Sequence, residues 1–141
     1  MAELPLKGLR VLVVEDQYYL ATDICEWLRE AGAQLVGPAP NSRTACELID
    51  AEPFDAAVVD INLGMGPTFT VAQKLAENEV PFLFATGYDR SIIPAEYRDH
   101  PRIEKPFKGP DVISAVEALW RQSSNAGASA GSKTTGGAFQ T

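Results

Sequence analysis

Four short stretches hold the residues able to do chemistry: "VVED" at 13–16, "VVDIN" at 58–62, "FATGY" at 84–88 and "IEKPF" at 103–107. They supply the acidic pair Glu15 and Asp16, the acid Asp60, the hydroxyl of Thr86 beside Gly87, and the cation Lys105 before Pro106. Each follows or ends an apolar run of strand character. In an open parallel sheet, ligands bind outside the carboxyl ends of the strands, where the strand order reverses. Residues far apart along the chain are therefore expected to converge on one crevice.

Three carboxylates so close repel one another, since one like pair at 4 Å costs about 4 kcal/mol at an effective dielectric of 20. Lys105 offsets part of this, and a hard divalent cation would offset the rest. Mg²⁺ suits the site best, because it favours one or two carboxylates with retained water and a phosphate, whereas Ca²⁺ wants more protein oxygens. Asp60 is then suited to attack a phosphoryl group, as carboxylates do when they form acyl phosphates. Lys105 and the metal would neutralise the phosphoryl oxygens, Thr86 would donate its hydroxyl to one of them, and Gly87 leaves the approach open.

The elements that must position these groups can be read from periodicity. Continuous apolar runs at Arg10 to Val14, Ala56 to Val59 and Phe82 to Ala85 suit strands covered on both faces, with a weaker strand at Leu35-Val36. Leu20, Ile24, Leu28 and Ala31 recur at helical spacing, with Gly32 as the stop. Asn41 or Ser42 can cap a second helix with Ala45, Leu48 and Ile49, ending before Pro53. A third helix after Pro67 carries Ala72, Leu75 and Ala76, and the last, after Pro110, carries Val112, Val116, Leu119 and Trp120. Strand and helix alternating at this length predict right-handed crossovers and a doubly wound α/β domain with a five-stranded parallel sheet. Residues 87–101 break the pattern: Gly87, Pro94 and Pro101 leave room for one or two turns, so the fourth helix is expected to be short, near Pro94 to Arg98, in a long mobile loop.

Length and composition set the bounds. The 141 residues, 45% of them apolar and 22% charged, fit one globular domain. No apolar run is long enough for a bilayer span or a secretory signal, which points to a cytoplasmic protein. Residues 123–141 contain 15 Ser, Gly, Ala or Thr. They cannot offset their ordering entropy by burial, so the domain is expected to span 1–122 and a disordered tail 123–141, with no output domain after it. The formal charge is −7, and the tail holds one Lys and no acid, which leaves −8 in residues 1–122. With no cluster of Lys and Arg, direct nucleic-acid binding is not expected. Cys25 and Cys46 have no metal-knuckle spacing and read as packing residues, and His100 reads as a solvated loop residue.

These motifs, Glu15-Asp16, Asp60, Thr86 and Lys105-Pro106, make residues 7 to 121 or so resemble the receiver domains of two-component response regulators. More narrowly, "VPFLFATGY" with "DINLG" is similar to the FATGUY subfamily of single-domain receivers best known from alphaproteobacteria. The resemblance implies a flavodoxin-like fold with strand order 2-1-3-4-5 and transfer of a phosphoryl group from a sensor histidine kinase or phosphotransfer protein to Asp60. In the subfamily that kinase is often of the HWE type, within stress-response networks. It further implies Asp16 and Asp60 as direct Mg²⁺ ligands, Glu15 acting through water, the main-chain carbonyl of Asn62 as a third protein ligand, and a cis peptide before Pro106. The protein would catalyse its own phosphorylation and dephosphorylation without being a turnover enzyme, and would act as a monomer on a downstream protein target.

The resemblance has departures. Gly64 replaces a usual proline, Thr68 a usual glycine, and Arg102 stands where an aromatic normally reports phosphorylation. Thr86, Gly87 and Tyr88 are the candidate switch, with Tyr88 replacing the missing aromatic; phosphorylation would draw Thr86 inward and form a partner surface over residues 87–105. The competing readings are weaker. An Asp-nucleophile phosphatase would carry a second Asp where Asn62 stands, a nucleotide binder would have a glycine-rich loop in place of "EDQYY", and an electron carrier's cofactor phosphate would meet three carboxylates. A docking receiver without chemistry would lack some of the key residues, and here all are present. A phosphate sink or relay for a shared kinase remains the alternative to a signalling role.

Overall fold

The computed structural model describes residues 4–61, 69–87, 95–97 and 99–130, the side chains of 124–130 excepted. Five strands, β1 (Arg10–Val14), β2 (Gln34–Ala39), β3 (Ala56–Asp60), β4 (Phe82–Thr86) and β5 (Arg102–Glu104), form one parallel sheet in the order β2-β1-β3-β4-β5. The expected doubly wound architecture and strand order are both found. Every residue of β3 and β4 is buried, as continuous apolar strands in the middle of a two-sided sheet require.

Side-chain alternation divides the core between the two faces. Leu12, Val14, Ala57, Val59, Phe82 and Phe84 point to the side covered by helices α2 (Ser42–Ala51) and α3 (Thr70–Glu77). Val11, Val13, Ala56, Val58, Leu83 and Ala85 meet α1 (Tyr18–Glu30) and α4 (Gly109–Ala130) on the other. The Asn41 side chain accepts from the Thr44 amide at 2.8 Å and so starts α2 as its sequence suggested. After α1, Gly32 has φ +106°, and a Cβ there would lie 2.8 Å from Lys7 Cα. Only glycine allows both that backbone and that approach.

The short helix expected near Pro94 to Arg98 is found, among described residues, as a single 3₁₀ turn at Ala95–Tyr97; residues 88–94 and 98 lie outside the described residues. Two expectations are corrected. The last helix continues to Ala130, past the expected boundary at 122, because lengthening an existing helix avoids the cost of nucleating a new one. Residues 131–141 lie outside the described residues. Trp120, assigned to the core-facing stripe, is exposed at 36%, while Val112, Val116 and Leu119 are buried as expected. Cys25 is buried and Cys46 partly buried against the core, as packing residues. None of the described helices is long and apolar enough to cross a membrane.

Candidate functional site

The carboxyl edge of the sheet delivers the site. Asp60 is the last residue of β3 and Thr86 the last of β4, while Glu15 directly follows β1 and Lys105 directly follows β5. Backbone pairing carries on past the strands: the Glu15 amide donates to the Ala39 carbonyl at 3.0 Å, and the Lys105 amide to the Thr86 carbonyl at 2.7 Å. The tips are thus held by the sheet itself. One carboxylate oxygen from each of Glu15, Asp16 and Asp60 lies within 4.8 Å of the others.

Burial makes this cluster electrostatically unusual. Glu15, Asp60 and Thr86 are each 2% exposed, whereas Asp16 faces solvent. The Lys105 ammonium lies 3.3 Å from Asp60 Oδ1 and 3.4 Å from Glu15 Oε1. One cation among three carboxylates leaves an excess of negative charge in low dielectric. Burial, and then the Asp60 charge, push the Glu15 carboxyl up to about 7, against the pull of the Gln17 N–H and of Lys105. Gln17, which the sequence did not single out, donates its backbone N–H to Glu15 Oε2 at 3.1 Å. No residue-type signal could have found this, since the donor is main chain.

The remaining expectations divide clearly. The Lys105–Pro106 peptide is cis, as is Gly37–Pro38. The Thr86 hydroxyl donates to the neighbouring Gly87 carbonyl at 3.1 Å, and among the described residues a Cβ on Gly87 would meet nothing within 4 Å. Asn62 and Tyr88 lie outside the described residues. His100 is not a solvated loop residue. Its Nε2 donates to the Phe82 carbonyl at 2.6 Å and its ring lies 4.1 Å from that of Phe82, a contact across 18 residues that no local pattern announces.

The donor set fits a hard cation. Among the described residues only oxygen ligands are offered, and Glu15 Oε1, though 3.4 Å from the Lys105 ammonium, is buried without accepting a hydrogen bond from them, an arrangement whose desolvation cost a divalent ion would offset. Phosphoryl transfer needs an oxygen nucleophile, positive charge on two sides and a hydroxyl donor. The crevice presents a buried carboxylate in Asp60, a hydroxyl in Thr86 and one cation in Lys105.

No protein-family model matches the chain. Among solved structures, SdrG from Sphingomonas melonis Fr1 is 32% identical and superposes with a TM-score of 0.70 over 84% of this chain and 98% of that one. A response regulator receiver protein from Sinorhizobium medicae WSM419, 24% identical, shares the fold with a TM-score of 0.70 over 84% and 98% of the two chains. Among curated proteins, the transcriptional regulatory protein PdtaR of Mycobacterium tuberculosis is 29% identical over 112 residues, covering 77% of this chain and 55% of that protein. The chain therefore spans about half the length of the first curated relatives it matches.

Proposed function

This chain belongs to the receiver family of two-component response regulators, and from that premise we propose that it accepts a phosphoryl group on Asp60 from a sensor histidine kinase or phosphotransfer protein. In the transfer the phosphorus–nitrogen bond of a phosphohistidine breaks, its electron pair stays on the imidazole, and a bond forms between phosphorus and an Asp60 carboxylate oxygen. The observation that carries this reading is the placing of a buried Asp60 within 3.3 Å of the Lys105 ammonium and within 4.8 Å of two further carboxylates.

Asp16, Asp60 and the Asn62 carbonyl would hold Mg²⁺ directly, with Glu15 acting through water. The ion would neutralise the crowded carboxylates and the phosphoryl oxygens that approach them. Lys105 sits where it can pair with a second phosphoryl oxygen. Thr86 gives up its bond to the Gly87 carbonyl and donates to a third, which draws the start of the following segment with it. Residues 87–105 then form the surface a downstream target reads.

The motif "VPFLFATGY" supports a FATGUY-type receiver of the alphaproteobacterial kind, acting in the cytoplasm as a monomer in a stress-response pathway. The experiment is incubation with a small phosphodonor and Mg²⁺ followed by intact mass. One phosphoryl group is expected on the wild type and none on Asp60→Asn; labelling of the Asn variant would reject Asp60 as acceptor.

A further inference from the structure

We infer that Tyr97 is the positioning residue that ties the chain leading into α3 to the chain leading into β5, so that a change at the phosphoacceptor edge reaches both together. The inference rests on the phosphoacceptor role for its trigger, but the coupling itself is a property of the unmodified protein. Phe69 immediately precedes α3, and Tyr97 closes the 3₁₀ turn before β5. Their rings stack 5.6 Å apart with 12° between planes. Phe84 meets both edge-on, Phe69 at 6.0 Å and Tyr97 at 5.6 Å.

Phe84 stands two residues before Thr86, on the same face of β4. The hydroxyl and the aromatic triad are therefore neighbours along one strand. Tyr97 is buried, at 8% exposure, and its segment is held at a second point by the His100 bond to the Phe82 carbonyl. The β4–β5 register places Arg102 opposite Phe84. A cation thus occupies the strand position that could have supplied an aromatic from β5, and the aromatic contact to β4 comes from Tyr97 instead.

Close-packed rings have few alternative arrangements, so displacing one obliges its partners to repack. The Thr86 hydroxyl here lies on the Gly87 carbonyl; on the proposed function, phosphorylation of Asp60 would offer it a phosphoryl oxygen instead. That exchange pulls on the end of β4 and on the chain that follows it. Tyr97 passes that displacement across the stack to Phe69 and along the chain to His100 and β5.

The test reads amide exchange at Phe84 and His100, whose amides donate to the Pro101 and Tyr97 carbonyls, with phosphorylation of Asp60 followed separately by intact mass. Without any phosphodonor, Phe69→Leu is expected to speed exchange at His100 about two- to tenfold, the range that loss of one aromatic pair gives. With phosphodonor and Mg²⁺, Tyr97→Leu is expected to be labelled as fully as wild type but to lose the exchange response at residues 99–104, which Tyr97→Phe retains because it keeps the ring. Unchanged His100 exchange in Phe69→Leu, or an intact response in Tyr97→Leu, overturns the inference; Phe69→Met and Tyr97→Met serve if the leucine variants do not fold. An unlabelled wild type rejects the phosphoacceptor role, and the Phe69 variant then decides the coupling on its own.

Discussion

The Lys105 amide donates to the Thr86 carbonyl at 2.7 Å, so the cation and the hydroxyl of the site are carried by one strand pair. Glu15 and Asp60 are carried by the neighbouring strands β1 and β3, also paired to each other. The geometry of the crevice is therefore set by sheet register, and its electrostatics by which charges the register buries.

Lys105→Ala removes the cation that lies 3.3 Å from Asp60 Oδ1 and 3.4 Å from Glu15 Oε1. The fold should persist, because the Lys105 side chain is not part of either core cluster. Phosphoryl transfer to Asp60 should slow by roughly 10²-fold, as when one preorganised electrostatic contact to a transition state is lost. Time-resolved intact mass against a small phosphodonor measures this, and an unchanged rate rules out the role given to Lys105.

Glu15→Gln should act in opposite senses on stability and on metal binding. In chelator near pH 8 the variant should be more stable than wild type by about 1–2 kcal/mol, because a buried carboxylate beside Asp60 becomes neutral at nearly constant volume. Its midpoint should gain less from added Mg²⁺, since ligand stabilisation follows affinity. Urea titrations with and without Mg²⁺ test both, and a variant less stable than wild type in chelator would contradict the charge-crowding account.

His100 makes stability depend on pH on the acid side. Burial, and then the nearby Arg102 charge, hold its imidazole below the ordinary 6.5, while its bond to the Phe82 carbonyl works the other way. A lowered folded value means the unfolded chain binds the proton more readily, so this contribution is complete above about 6.5 and is lost as pH falls below it. Wild type should therefore lose stability between about pH 6.5 and 5 more steeply than His100→Gln. Thermal midpoints across that range check the slope, and parallel curves would show that His100 takes up its proton equally in the folded and unfolded chains, against a lowered folded value.

Much of this protein was legible before any coordinates. Continuous apolar runs named β1, β3 and β4, helical spacing named α1, α2 and the core face of α4, and an acid, hydroxyl or lysine at the exits of four of the five strands located the crevice. These readings succeed because strand and helix periodicity, and the preference of charge for strand ends, are local properties of the chain. The family motif implied roles for Asp16, Asp60, Thr86 and Lys105, which the phosphodonor experiment tests.

What the tertiary structure alone decided is everything that joins residues distant in sequence. Glu15 is driven up to about 7 by its burial and then by the charge of Asp60 from another strand, and the Gln17 N–H that restrains it is main chain. His100 reads locally as a turn residue between Asp99 and Pro101, yet it is fixed by Phe82. Phe69 and Tyr97, 28 positions apart, carry no mark of their stacking. A sequence records each residue's own preferences, whereas a pKa, a stack or an ion pair belongs to two residues at a distance, and only the folded sheet sets that distance.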